Sequence, residues 1–269
     1  MAWSVRRSVG RAVLWLAALV VPGPCLAGAF LQPEGHGQII LDKLSAKAKA
    51  SASASPEAVP LSSWAKREWA AAFEFGATDW ATITARGSWD ALAWRSCICA
   101  PVESARGVGA GALGTRLALW QVPNWTASFE IERSWAGTGA RQWTGAPDSV
   151  ASTGLRLQSG YNFAWFEKTG FVEAAVGTRF LASPFAAEQQ IDLTFGVRPV
   201  PKVLLLAQEF VRWAPPGGPL PARFSSKMQF STVYFRNSRY AVHVGIYDTI
   251  RARGIAPERG IVTGIWYRF

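Results

Sequence analysis

The feature that most constrains the fold is an alternation of apolar and polar residues with a period of two, which recurs from Gly37 to the end of the chain. In the last nine residues, for example, Ile261, Ile265 and Phe269 share one parity, while Arg268 has the other. Successive side chains of a β-strand point to opposite faces, so this period indicates strands with one apolar face. About twelve such segments follow one another, within a range of roughly ten to fourteen.

The connections between these segments alternate between long and tight along the whole chain. Tight turns are predicted at residues 77–79, 123–124, 167–168, 199–201 and 237–238. The other connections are long, and they include a low-complexity stretch of Ala, Ser and Lys at residues 45–60 and the segment 87–106. Bacterial outer-membrane barrels have short periplasmic turns, longer extracellular loops and an even number of strands. The sequence therefore predicts an all-β, antiparallel up-and-down transmembrane barrel with both termini on the periplasmic side.

Parity alone leaves a second interpretation open, because the apolar face of each strand can meet either lipid or the core of a soluble exported barrel or sandwich. Three features favour lipid. The polar parity carries Arg and Glu at strand centres, which a dry core does not tolerate unpaired, and it is also rich in Gly and Ala. Large aromatic residues recur near strand ends, as interfacial girdles require: Trp69, Trp80, Trp125, Trp165, Tyr234, Tyr240 and Tyr267.

The amino-terminal stretch has the organisation of a secretory signal peptide. Arg6, Arg7 and Arg11 precede an apolar run over residues 12–21, which is followed by helix-breaking and small residues up to Ala27. The run is too short to span a bilayer. A lipoprotein attachment site, a twin-arginine signal and a retained anchor are weaker alternatives. We therefore predict a signal peptide at residues 1–27, cleaved after Ala27, and an outer-membrane barrel domain at residues 28–269.

Charge and cysteine content narrow the classes of partner. The formal net charge of +10 suits contact with membrane lipid, with lipopolysaccharide phosphates or with anionic solutes. A nucleic-acid partner is not expected, because the arginines are scattered. After cleavage the remaining cysteines are Cys97 and Cys99, for which we expect a small disulfide or free thiols; a metal site is disfavoured because no histidine is near. No phosphate loop or cofactor motif occurs, so we expect neither metal nor cofactor.

Charged residues on the polar parity are the candidates to line a lumen. They carry both signs: Glu74, Arg116, Glu130, Glu132, Arg156, Glu173, Arg179, Asp192, Arg198, His243 and Arg268. Rings of charge set which solutes pass through a pore. The same residues can instead pair across the interior and fill it, and of these two readings a narrow channel is favoured. Segment 87–106, with Trp89 and Trp94, is the best candidate to fold inward, although an ordinary surface loop fits it equally well.

Enzymatic readings find little support in the sequence. Lipases and proteases of this location need a histidine beside a serine nucleophile or an acid. The chain has two histidines, His36 and His243, and the same-face neighbours of His243 are Ala241 and Gly245. Neither neighbour is a nucleophile or an orienting acid. We therefore predict that the protein is not an enzyme.

Two resemblances bear on location and role. Phe269 with Tyr267 two residues before it and Gly264 five residues before it resembles the carboxy-terminal assembly signal of outer-membrane barrels, which implies the barrel assembly machinery as a partner. Residues 28–38, GAFLQPEGHGQ, look like the opening of uncharacterised proteobacterial outer-membrane proteins. The whole chain is loosely similar to the transporter barrels grouped with the meta-pathway of phenol degradation. These likenesses imply an outer-membrane location and a transport role for small organic solutes.

Two functional hypotheses follow from these observations. The first is a porin-like channel or transporter barrel for small solutes, with a mixed-charge, Arg-containing polar lumen. The second is a non-conducting structural or surface-binding barrel, in which the same charges only pair with one another. Conductance separates the two.

Overall fold

The computed structural model describes residues 29–49, 63–95, 101–137, 150–165, 168–217, 221–255 and 257–269. Within these ranges the chain forms one closed antiparallel barrel of twelve strands, in which each strand pairs with its neighbours in sequence and the first pairs with the last. The predicted fold class is confirmed. Among the described residues, no helix is long and apolar enough to cross a membrane.

The strands have the following bounds: β1 Gly37–Lys49, β2 Ser63–Thr78, β3 Ala81–Arg95, β4 Glu103–Val122, β5 Trp125–Ala136, β6 Ser152–Trp165, β7 Lys168–Leu181, β8 Glu188–Val200, β9 Val203–Ala214, β10 Arg223–Phe235, β11 Tyr240–Arg253 and β12 Glu258–Arg268. Tight connections join β2 to β3, β4 to β5, β6 to β7, β8 to β9 and β10 to β11, all at one end of the barrel. We call this the turn end and the opposite end the loop end. By the rule for bacterial barrels, the turn end is periplasmic.

The strands extend further than the sequence pattern predicts. The segment predicted as a loop from residue 45 begins as strand, because β1 continues to Lys49 with Ala46 and Ala48 buried inside. The predicted long connection 87–106 is also wrong in extent: β3 runs to Arg95 and β4 starts at Glu103. Pairing with a neighbouring strand satisfies backbone groups beyond the bilayer, so a strand does not need to end where the hydrocarbon ends. Trp89 and Trp94 therefore lie in β3, and not in a loop that folds inward.

Three predictions fall outside the part of the chain that is described. They are the signal peptide at residues 1–27 with its cleavage after Ala27, the disulfide or free thiols of Cys97 and Cys99, and the inward fold of the remainder of the segment, residues 96–100.

A β-bulge in β4 changes which face one tryptophan occupies. The register with β5 shifts between Ala118 and Trp120, so that the extra residue moves the following side chains to the other face. Trp120 is consequently 64% exposed on the outer wall, whereas strict alternation placed it on the inner one. The pattern at the turn end of β4 was mispredicted for this reason.

The outer wall is apolar and bounded by aromatic side chains. Leu113, Leu157, Val244 and Ile265, on four different strands, are all about half exposed. Exposed aromatics stand near both ends of the strands: Trp80, Trp125, Tyr234 and Tyr240 at the turn end, and Trp69, Trp89 and Trp135 at the loop end. An apolar band between two aromatic girdles is the surface that a bilayer requires of a barrel, so this wall faces lipid.

The buried core lies inside the turn end of the barrel. It is a cluster of inward-facing apolar side chains from five strands: Phe171, Leu204, Val233, Phe235, Ala241 and Trp266. Phe30, Ile40 and Leu206 pack against this cluster. The interior is therefore divided between an apolar half on β7 and β9–β12 and a polar half on the remaining wall.

Candidate functional site

A chain of alternating charges follows the inner wall from β2 to β9. Its six members are, in order, Glu74, Arg116, Glu130, Arg156, Asp192 and Arg212. We call this set the charge ladder. Each charge faces one of opposite sign on a nearby strand, so the ladder is electrically neutral, and it spans eight of the twelve strands.

Glu130 is the central member of the ladder. The Nη2 group of Arg116 lies 2.9 Å from Glu130 Oε2, and the Nη1 group of Arg156 lies 3.6 Å from Glu130 Oε1. Both Glu130 and Arg116 are almost fully buried, at 2% and 4% exposure. A charge taken out of water at such a position is tolerated only when it is paired and hydrogen-bonded. The two arginines therefore supply the pairing that a buried carboxylate at this position requires.

The outer members extend the ladder on both sides. Arg116 also donates to Glu74 across β3, at 3.1 Å. On the far side Asp192 accepts a hydrogen bond from Arg156 and another from Arg212, both at 2.5 Å. The charge-assisted bonds hold long side chains against the wall, which leaves less freedom for them to project into the lumen.

Further ion pairs lie nearer the loop end. Arg86 pairs with Glu132, and its Nε donates at 2.8 Å. Glu188 lies 3.3 Å from Arg179 and 3.9 Å from Arg223. Lys227 pairs with Glu258 between β10 and β12. The wall above the ladder is therefore also lined by charges of both signs.

The chain that precedes β1 enters the barrel from the turn end. It turns at the rim, where the Gly35 amide donates to the carbonyl of Gly76 at 2.9 Å and the Gly76 amide donates back to His36. Residues 29–32 then lie inside the lumen, against the wall of β2–β7. We call these four residues the inner segment. The sequence pattern did not reveal this placement, since the segment belongs to no strand.

Five hydrogen bonds hold the inner segment. The Ala29 amide donates to Glu173 at 2.7 Å, and Ser128 Oγ donates to the Ala29 carbonyl at 3.0 Å. Arg116 donates to the Phe30 carbonyl at 3.2 Å. The last two involve Gln32: its amide donates to Thr82 Oγ1 and its side chain donates to Glu74 Oε2, both at 2.9 Å. The segment is thus bound by the polar half of the interior and touches two members of the charge ladder.

Phe30 connects the inner segment to the apolar half. Its ring meets that of Phe171 edge to face, with centroids 6.4 Å apart. The space for the ring exists because Gly160, an inward position on β6, has no side chain: a Cβ there would lie 2.8 Å from Phe30 Cζ. One aromatic side chain therefore fills the gap between the charged and the apolar walls.

The turn half of the barrel is narrowed by this arrangement. Every strand contributes at least one inward residue that is buried: Gln38, Gly76, Thr82, Arg116, Ser128, Gln158, Phe171, Gly196, Leu204, Val233, Ala241 and Trp266. Above this layer, toward the loop end, a cavity of about 270 Å³ remains, lined among others by Asp42, Glu68, Arg86 and Arg179.

All eleven residues predicted to line the lumen lie on the inner face of their strands, but they do different things. Five of them, Glu74, Arg116, Glu130, Arg156 and Asp192, belong to the charge ladder, and Glu132 and Arg179 pair above it. Glu173 binds the inner segment. His243 Nδ1 lies 3.3 Å from Asp42 Oδ1. Arg198 and Arg268 both lie over the ring of Phe235, at 4.6 and 4.5 Å.

Sequence reasoning missed several interior residues. Arg212 lies in β9, and the first half of that strand is apolar on both faces, so the inward face of β9 was uncertain from the sequence. Gln208 and Arg212 share one parity, and this polar pair was the available signal for the inward face. Asp42 stands opposite the apolar face of the first predicted segment but was not among the candidates. Arg86 ends the predicted segment 80–86, for which no parity was assigned, and Glu188 precedes the predicted segment that begins at Gln190. The predicted assembly residues occupy β12 and its end: Gly264 faces inward, and the ring of Phe269 stacks on Phe73 and Phe75, with centroids 6.2 and 6.5 Å apart.

Comparison with solved structures shows that this architecture is shared. The COG4313 outer membrane channel from Pseudomonas putida F1 has a TM-score of 0.67 at 10% identity, covering 91% of this chain and all of that one. The chain has an outer-membrane barrel fold. The KdgM porin in complex with disordered oligogalacturonate is similar at a TM-score of 0.53 and 7% identity, over 86% of this chain and 99% of that chain. The β domain of the Bordetella autotransporter BrkA reaches 0.53 at 10% identity, over 87% and 99%.

These neighbours bear on location more than on mechanism. With its lipid-facing wall, the barrel belongs in the bacterial outer membrane. Porins and an autotransporter domain share the fold, so the fold by itself does not select a function. No family model matches the sequence, and no curated protein matches it. The likeness to transporter barrels of the meta-pathway of phenol degradation therefore stays a prediction.

Proposed function

We propose that the protein is an outer-membrane channel for small polar solutes, and that the inner segment is the gate that closes its periplasmic end. The observation that carries this proposal is the placement of residues 29–32 inside a barrel whose wall is complete without them. No strand pairing depends on the inner segment. The segment can therefore leave the lumen while the barrel stays intact.

The contacts of the inner segment suit a reversible gate. It is held by five hydrogen bonds and the packing of one aromatic ring. A hydrogen bond that water can replace contributes only about 0.5 to 1.5 kcal/mol net. Three partners of the inner segment, Glu74, Arg116 and Glu173, have charged side chains. Water that enters after the segment leaves would therefore solvate them well.

The lumen that would open is lined by charges of both signs. The charge ladder pairs three acids with three arginines, and further pairs follow toward the loop end. A wall with paired charges offers donors and acceptors without a strong net field, which favours neutral polar or zwitterionic solutes over ions of one sign. The cavity of about 270 Å³ beneath the loop end has room for a small solute of this kind. Two proteins with a similar fold, an outer membrane channel and a porin, support the same proposal.

The narrowed interior also favours the second candidate, a barrel that never conducts. Planar-bilayer recording separates the two. We expect wild-type protein to show low conductance with brief openings, and a variant lacking residues 29–32 to show a steady open level. A suitable control is Arg212→Gln, which alters the ladder away from the inner segment and should keep the wild-type gating. If the shortened variant folds, as judged by its heat-modifiable mobility, and still does not conduct, the protein is not a channel.

A further inference from the structure

We infer that the outer surface of β12, β1 and β2 binds the phosphates of a lipid in the outer leaflet, namely the lipid A portion of lipopolysaccharide. The site consists of Lys47, Arg67 and Arg259, with Ser45 between them; we call it the basic patch. It lies on the lipid side of the wall, so this inference is independent of channel activity.

The register brings the three cations of the basic patch together. Lys47 on β1 is directly opposite Arg259 on β12, and Ser45, two residues away on the same face, is opposite Arg67 on β2. Directly opposed residues have their Cβ atoms about 4.5 to 5.5 Å apart, and diagonal neighbours about 7 to 8 Å. All three cationic side chains are exposed. They therefore form a compact group that one phosphate can contact.

The orientation of the basic patch follows from its neighbours on the same parity. Leu41 on β1 and Ile261 on β12 share the face of the three cations and are about half exposed on the apolar wall. The opposite parity of β1 carries Ala46 and Ala48, which are buried inside the barrel. A ligand of the basic patch must therefore approach from the bilayer and not from the lumen.

The height of the basic patch matches the headgroup region. Lys43, Trp69 and Trp89 form one cross-strand row, and the ammonium of Lys43 lies 5.1 Å from the ring centroid of Trp69. The two tryptophans are 57% and 51% exposed and mark the interface at the loop end. Each cation of the patch stands on the loop side of this row. In a barrel with its turn end in the periplasm, that level is the outer leaflet.

The protein leaves the charge of the basic patch largely uncompensated. Like charges directly opposite one another on adjacent strands are destabilising. The outward acid beside the patch, within the described residues, is Asp248, which is opposite Arg259 on the β11 side. Glu68 and Glu258, next to the patch in sequence, face inward and pair with Lys66 and Lys227. An anion from the membrane would remove the repulsion between Lys47 and Arg259.

Lipid A supplies the required chemistry, because it carries phosphates at the headgroup level with acyl chains beneath them. Ser45 is small and exposed, so it leaves room for a phosphate and offers a hydroxyl donor. The apolar wall below the patch, with Leu41 and Ile265, would meet the acyl chains. Basic residues near a membrane surface each favour anionic lipid by about fivefold in affinity.

Binding of bisphosphorylated lipid A to the delipidated full-length barrel in neutral detergent tests the inference, with native mass spectrometry as the readout. The patch variant carries Lys47→Gln, Arg67→Gln and Arg259→Gln. A matched control removes three exposed cations away from the patch, with Arg133→Gln, Lys168→Gln and Lys202→Gln. We expect at least a roughly tenfold loss of affinity for the patch variant, and less than about twofold for the control.

Three further arms identify the ligand group. Lipid A stripped of both phosphates should bind the wild type as weakly as the patch variant binds intact lipid A. Inorganic phosphate at millimolar concentration should not displace the lipid. Heat-modifiable mobility establishes that each variant is folded, and a patch variant that does not fold is replaced by Lys47→Gln alone, for which we expect about fivefold. Equal losses in patch and control variants, undiminished binding of phosphate-free lipid, or displacement by inorganic phosphate would each overturn the inference.

Discussion

A single added side chain at Gly160 should open the channel. Gly160 faces inward on β6, and a Cβ built there lies 2.8 Å from Phe30 Cζ and 3.1 Å from the Ala29 Cβ. Carbon atoms in ordinary contact are about 3.5 to 4.0 Å apart. The ring of Phe30 would therefore have to retreat by roughly 0.7 to 1.2 Å for alanine, and by more for valine, whose methyl groups reach further.

The expected size of the effect follows from the packing that is lost. Phe30 packs between the β6 wall and Phe171. Burial of a phenylalanine side chain stabilises a structure by about 1.5 to 3 kcal/mol. If Gly160→Val expels the ring, the ratio of open to closed channels should rise by about ten- to a hundredfold, and Gly160→Ala should give a smaller increase.

Gly154 provides the matched control for this prediction. It lies on the same strand and the same inner face, but a Cβ there meets nothing closer than 3.9 Å. Open probability in planar bilayers should therefore rise for Gly160→Val and stay near the wild-type value for Gly154→Val. Equal behaviour of the two variants, with both barrels folded, would refute the idea that the inner segment closes the lumen through Phe30.

Two further predictions concern stability and assembly. Glu130→Gln removes the acid that Arg116 and Arg156 share and leaves each arginine with one other acid. It should destabilise the barrel by up to about 3 kcal/mol, seen as a lower temperature for the heat-modifiable gel shift. Glu132→Gln, whose partner is half exposed, should cost less, and the reverse order would contradict the pairing argument. If Phe269 serves recognition by the assembly machinery, Phe269→Ser should reduce the folded fraction in cell envelopes, and the purified variant should still refold in detergent. The control Phe163→Ser also removes an outward stacked ring and should assemble normally. Equal loss in both variants would assign Phe269 a purely structural role.

If the inner segment is the proposed gate, its attachment at the rim has a mechanical consequence. The inner segment is joined to β1 through the rim residues, where Gly35 and His36 hydrogen-bond to Gly76. Those contacts can persist when residues 29–32 swing out, because they lie at the rim of the turn end and involve none of the four residues. Opening would therefore be a local hinge motion at the rim, and the barrel wall would not change.

The sequence by itself determined the fold and the two faces of its wall. The period of two specified strands, and the alternation of tight and long connections specified their antiparallel order; both are local properties that persist in any barrel of this size. Charge on one parity and aromatics on the other also distinguished the interior from the lipid side. These patterns can be read from the sequence because each strand pairs only with its two neighbours, so the two faces of a strand are set by its own residues.

Only the tertiary structure decided how the interior is filled. The bond from Ala29 to Glu173 joins residues 144 positions apart, and the ion pairs of the charge ladder join different strands across the wall. Alternation says which side chains face inward, but not which ones meet, because partners depend on register, on bulges such as that at Leu119, and on barrel curvature. The inner segment belongs to no strand, so its position inside the lumen follows from the complementary space at Gly160 and not from any pattern of its own residues.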